Sequence, residues 1–92
     1  MSDVRTAAIT AQNTFTDPLS LTSKAFSLSV SGTFVATVSL QRSHDGGTNW
    51  HDVIQLTEPD ELGGFEPVGS LYRVGVKTGD FTSGTINVRL AQ

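Results

Sequence analysis

Apolar and polar side chains alternate along most of this chain with a period of two. "AFSLSVSG" sets Phe26, Leu28 and Val30 on one face and Ser27 and Ser29 on the other. "TFVATVSLQRS" does the same with Phe34, Ala36, Val38 and Leu40 against Thr37, Ser39 and Gln41. "LYRVGVKTG" places Tyr72, Val74 and Val76 inward and Arg73 and Lys77 outward, and "TINVRLAQ" opposes Ile86, Val88 and Leu90 to Asn87 and Arg89. Successive side chains of a strand point to opposite faces, so each run predicts a half-buried strand. Gly, Pro, Asp and Asn interrupt the runs at "TDP", "SGT", "HDGGTN", "EPDELGGFEP" and "TGDFTSG". No stretch carries the capped 3.6-residue stripe of a helix. The pattern predicts one all-β domain over 1–92, an antiparallel β-sandwich of about seven or eight strands with jelly-roll or immunoglobulin-like connections. The strands are expected near 4–10, 13–16, 19–22, 25–31, 33–43, 49–56, 70–77 and 84–91. Residues 1–15, small and polar, read as an edge strand or an extended arm.

The sharpest local signal is "SHDGGTNW", residues 43–50, between two alternating runs. Gly46 and Gly47 supply the positive φ that a right-twisted hairpin needs at its turn. Asp45 is short enough to accept backbone N–H groups of the same loop. Trp50 opens the return strand, where its ring is expected to cover one end of the core. Ser43, Asp45, Gly47 and Trp50 resemble the Asp-box pattern S-x-D-x-G-x-T-W, with Asn49 where the box prefers Thr. In sialidases and other β proteins such boxes are structural hairpins. One copy in 92 residues is too little for a propeller, so the resemblance implies a hairpin and not a sialidase.

Composition removes several classes of function. The net charge is -3, and the six basic residues Arg5, Lys24, Arg42, Arg73, Lys77 and Arg89 are scattered, which leaves no patch for nucleic acid. Cysteine is absent, so no disulfide or thiolate site is available. "MSDVRTAAIT" has no apolar signal-peptide run and nothing approaches a membrane span, so the chain is expected to fold in a cytoplasm. His44, Asp45, His51 and Asp52 look like ligand material, but neighbours on a strand face opposite ways, and no metal site is expected. No nucleophile elbow is present. Glu58, Asp60, Glu61 and Glu66 read as a solvated loop rim rather than a tuned carboxylate pair. No catalytic or cofactor-binding residue is expected, and the chain does not read as an enzyme.

Two segments, "GTFVATVSLQRSHDGGTNWHDV" (32–53) and "LYRVGVKTGDFTSGTINVRLAQ" (71–92), resemble a family of small virion structural proteins of tailed bacteriophages. The resemblance implies a β-sandwich without catalytic residues that decorates, or cements, the outer surface of a capsid. Such a protein is made in the host cytoplasm, binds the major capsid protein and assembles with itself, as a trimer in this reading. A tail, neck or fibre module is the alternative. A carbohydrate-binding module is a third reading, with Trp50, Tyr72 and Phe81 as a stacking platform, although Tyr72 is in phase with the core residues Val74 and Val76. The candidate contact residues are Phe15, Glu58, Asp60, Glu61, Phe65 and Phe81. Phe81 either folds back over the core edge or protrudes as an anchor.

Overall fold

A computed structural model of the chain describes residues 3–92. Nine strands build it: β1 Val4–Ile9, β2 Thr14–Phe15, β3 Leu19–Leu21, β4 Lys24–Ala36, β5 Val38–Ser43, β6 His51–Leu56, β7 Asp60–Glu66, β8 Ser70–Val76 and β9 Phe81–Ala91. No helix occurs among the described residues, so none there is long enough to cross a membrane. One sheet runs β1-β9-β4-β7, and the other runs β2-β8-β5-β6, with β3 also on β8. All pairings are antiparallel. Taken as one interrupted strand, β2 and β3 pair with β8, just as β1 pairs with β9, β4 with β7 and β5 with β6. The chain is therefore a long antiparallel ribbon that closes at the β5–β6 hairpin and coils so that successive ribbon segments alternate between sheets. That is the jelly-roll arrangement of the sandwich. Residues 1–15 contribute the edge strand β1 and the short β2 rather than a free arm, with residues 1 and 2 outside the described part.

The core follows the alternation. Leu28, Val30, Val38, Leu40, Tyr72, Val74, Val76, Ile86, Val88 and Leu90 are buried between the sheets, joined by Ile9, Leu19 and Leu21. Phe26, Phe34 and Phe81 pack partly against them. Apolar area removed from water is the main force that holds two such layers together.

Four expectations need correction. "SGT" at 31–33 is not a turn: β4 runs unbroken through it. Gly32 and Gly84 hold φ near +108° and +100°, and a Cβ on either would lie 2.3 or 2.2 Å from a carbonyl oxygen of the partner strand. These glycines let β4 and β9 cross closely around the Thr33–Thr85 pair, so they bend a strand instead of ending it. The strand expected at 33–43 is divided at Thr37, where the chain leaves one sheet for the other. Periodicity is blind to this step because Phe34, Ala36, Val38 and Leu40 face the same interior from both sheets.

The acidic stretch expected to be a loop is strand β7, registered on β4 from Lys24–Glu66 to Val30–Asp60. Its last residue, Glu66, is fully buried and not part of a solvated rim. Nor does Trp50 cover the core. It precedes β6 and lies beside Arg73 on the outer face of the second sheet. Ser39 and Gln41, read as outward polar residues, are buried.

Candidate functional site

The tip of the β5–β6 hairpin is organised by Asp45. Its Oδ1 accepts from the Ser43 hydroxyl at 2.8 Å and from the Asn49 backbone N–H at 2.9 Å, and its Oδ2 accepts from the Asn49 side-chain amide at 2.7 Å. The Ser43 hydroxyl in turn accepts the Gly47 N–H at 2.9 Å. Donation by Asn49, backbone first, and then by Ser43 holds the Asp45 carboxyl down at about 2. Gly46 and Gly47 take φ near +74° and +96°. Asn49, in place of the usual Thr, supplies both of its N–H donors to the same carboxylate. All of these bonds run between residues 43 and 49, and those donated by the Gly47 and Asn49 N–H groups fix backbone.

Trp50 leads from the tip to the outer face of the second sheet. There the Arg73 guanidinium is sandwiched, 4.0 Å from the Phe15 ring centroid and 4.4 Å from that of Trp50. Cations over aromatic faces are favoured by about 0.5–2 kcal/mol, more as water is excluded. Arg73 Nε donates to Gln41 Oε1 at 2.8 Å, Gln41 Nε2 donates to Asp52 Oδ1 at 3.0 Å, and Lys77 Nζ meets Asp52 Oδ2 at 2.7 Å. The Lys77 ammonium, helped by Gln41, holds the Asp52 carboxyl below its ordinary range. The chain of bonds binds three strands, β5, β6 and β8, on the face away from the core. Sequence periodicity placed Arg73 and Gln41 outward, but only strand pairing shows that they are neighbours.

The potential metal ligands disperse. Asp52 turns to Lys77, while His44 Nδ1 lies 3.2 Å from the Ser70 hydroxyl and its ring centroid 6.5 Å from that of His51. No group of three or more His, Cys, Asp or Glu close enough to hold a metal occurs among the described residues.

The two sheets are open on one side. Strands β6 and β7 each have a neighbour on one edge only, and between them lies a cleft of about 360 Å³. Phe26, Leu40, Leu62 and Tyr72 line it together with the more exposed Val53 and Ile54, and Phe65 borders it from the outward phase of β7, opposite Ala25. The register of β5 with β6 slips between Leu40 and Gln41: Leu40 faces Ile54, Gln41 faces Asp52, and Val53 has no partner. This bulge turns two consecutive apolar residues to one side, and both line the cleft. Val53, Ile54 and Phe65 remain 50%, 37% and 60% exposed. The signal for this lay in "DVIQL", where adjacent apolar residues break the alternation.

Of the candidate contact residues, Asp60, Glu61 and Phe65 are brought together on β7, with Glu58 in the turn before it. Phe15 is apart, engaged with Arg73, and Phe81 folds against the core edge. No family model, no curated protein and no solved structure matches the chain.

Proposed function

We propose that the protein is a capsid decoration protein of a tailed bacteriophage. It sits on the outer surface of the assembled shell, bridges subunits of the major capsid protein, and does so as a trimer at local threefold axes. The observation that carries this reading is the open β6/β7 side, where exposed apolar side chains line a cleft between two unpaired sheet edges. Unpaired N–H and C=O groups beside apolar surface are adhesive toward another polypeptide. The resemblance of 32–53 and 71–92 to phage virion proteins supplies the identity of that polypeptide. Those segments contain the end of β4 from Gly32, the β5–β6 hairpin as far as Val53, most of β8 and all of β9, and so include the close crossing of β4 and β9.

A cement acts by adding contacts that must break before the shell can rupture. About 1,600 Å² per stable contact is the usual requirement, and a lattice multiplies weak contacts by avidity. Capsids stripped of this protein are expected to rupture at lower temperature than decorated ones, and to regain resistance when it is added back. Equal resistance with and without it defeats the proposal. Six or twelve copies per particle, rather than hundreds, would instead assign the chain to a tail, neck or fibre. The carbohydrate reading has less support, because Trp50 lies on Arg73 and Tyr72 is buried.

A further inference from the structure

We infer that the β6/β7 cleft receives one extended segment of a partner protein, which pairs with the free edge of β7 and carries Lys or Arg at the end that reaches Asp60 and Glu61. Geometry selects the edge. Strand β6 is bulged at Val53, which disrupts its ladder and protects it from addition. Strand β7 keeps one unbroken register over seven residues, so its outer N–H and C=O groups are evenly presented. An added strand continues the first sheet beyond β7. Alternate side chains of that strand then enter the cleft between Leu62 and the Val53–Ile54 pair, replacing water on surfaces now exposed.

Charge selects the occupant. Between Arg42 and Arg73 the chain contains no Lys or Arg, while Asp45, Asp52, Glu58, Asp60, Glu61 and Glu66 all lie there. Arg42 answers Glu66 and Lys77 answers Asp52. Among the described residues, the acids at the β6–β7 turn have no such cation: there Glu61 accepts the Ser29 hydroxyl, at 2.5 Å, and one Asp60 oxygen accepts the Glu61 N–H. A partner segment with cations at that end gains attraction and correct register together. A second copy of β7 in the same place would instead bring acids from both chains along one seam.

This inference rests on reading the chain as a structural binding protein. Its test uses no virion component, so it fails or survives separately from the capsid-rupture experiment. The probe is a synthetic peptide of roughly ten residues, about the length of a long strand, alternating valine and threonine, with two lysines at its C-terminal end. Antiparallel pairing sets those lysines beside Asp60 and Glu61. In NMR titrations of the full chain, shifts are expected in the amides of 60–66 and the methyls of Val53 and Ile54. A peptide with glutamates for the lysines is expected to bind at least tenfold more weakly. Val53→Lys, at the exposed bulge, is expected to weaken the lysine peptide by a similar factor without lowering the melting temperature. The double variant Asp60→Lys/Glu61→Lys is expected to reverse the peptide preference. Equal affinity for the two peptides, or shifts confined to other surfaces, overturns the inference. So does a concentration-dependent dimer that covers β7 without peptide.

Discussion

The Glu66 carboxylate, the last residue of β7 in one sheet, meets the Arg42 guanidinium of β5 in the other sheet at 2.7 Å while itself fully buried. Three further donors converge on it: the Tyr72 hydroxyl at 2.8 Å, the Val68 N–H at 3.0 Å and the Gly69 N–H at 3.1 Å. The site ties the edge strand of one layer to the two central strands of the other. It also fixes the turn between β7 and β8. Removing the cation strands a buried charge, which costs more than the pair contributes by existing. Arg42→Met is expected to cost about 3 kcal/mol, the low end for a broken buried pair, because Arg42 keeps 30% of its side chain in water. Urea unfolding followed by Trp50 fluorescence measures it. Adding Glu66→Gln to Arg42→Met is expected to recover part of the loss.

The same cluster predicts how stability depends on pH. Burial alone would raise the Glu66 carboxyl, but the Val68 and Gly69 N–H groups, Tyr72 and Arg42 outweigh it and hold it at about 2. A depressed carboxyl contributes stability above its unfolded pKa near 4.5 and loses that contribution as pH falls toward 2. The unfolding free energy is therefore expected to fall between pH 4.5 and 2, and Glu66→Gln should flatten the slope.

Tyr72 titrates in the opposite window. Burial, then donation to Glu66, pushes its phenol up to about 12. The fold retains this proton after the unfolded chain has lost it, so stability declines as pH rises from 10 to 12. Tyr72 is the only tyrosine, so phenolate absorbance reports it directly. The native chain is expected to develop that absorbance near pH 12 and Glu66→Gln at lower pH; a native midpoint at 10 would falsify the contact.

How much of this was legible without coordinates depended on what one residue's neighbours in sequence can report. The inward sets Tyr72, Val74, Val76 and Ile86, Val88, Leu90 were plain, because period two is a property of a single strand. The passage of the chain between sheets at Thr37 was not, since the inward phase continues through it. Strand β7 was masked by its composition: Asp60, Glu61, Gly63 and Gly64 suit a loop, and only pairing with β4 makes the segment extended. Glu66 illustrates the limit. A glutamate beside a proline reads as surface until Arg42 and Tyr72, distant in sequence, are folded around it. The apolar pair Val53–Ile54 was visible as an irregularity, but its meaning required knowing which edge was open.

Gly75 is where the outer aromatic layer touches the sheet. A Cβ there would lie 2.1 Å from the Thr14 carbonyl oxygen and 2.6 Å from the Phe15 Cα, so Gly75→Ala must push β2 away. Overpacking of this kind costs about 1–3 kcal/mol. Phe15 then leaves Arg73, and water reaches Trp50. Trp50 is the only tryptophan, so a red-shifted emission in the folded variant is the expected sign. Unchanged emission and stability would show that β2 contributes nothing to covering this face.

The hairpin tip yields the last expectation, and it separates a structural loop from a binding one. Asp45 spends both carboxylate oxygens inside the loop, on Ser43 and Asn49. Asp45→Ala removes the acceptor for the Asn49 N–H and loosens the Ser43 hydroxyl that receives the Gly47 N–H. Exchange of the Asn49 and Gly47 amides with solvent is expected to accelerate at least tenfold, as local opening replaces the bonded loop. Protection within the β5–β8 pairing should persist, because those bonds belong to the sheet. Binding of the lysine peptide should also persist, since the tip does not line the β6/β7 cleft. If Asp45→Ala abolished peptide binding while leaving amide exchange at the tip unchanged, the loop would be a contact surface and not a closure of the ribbon.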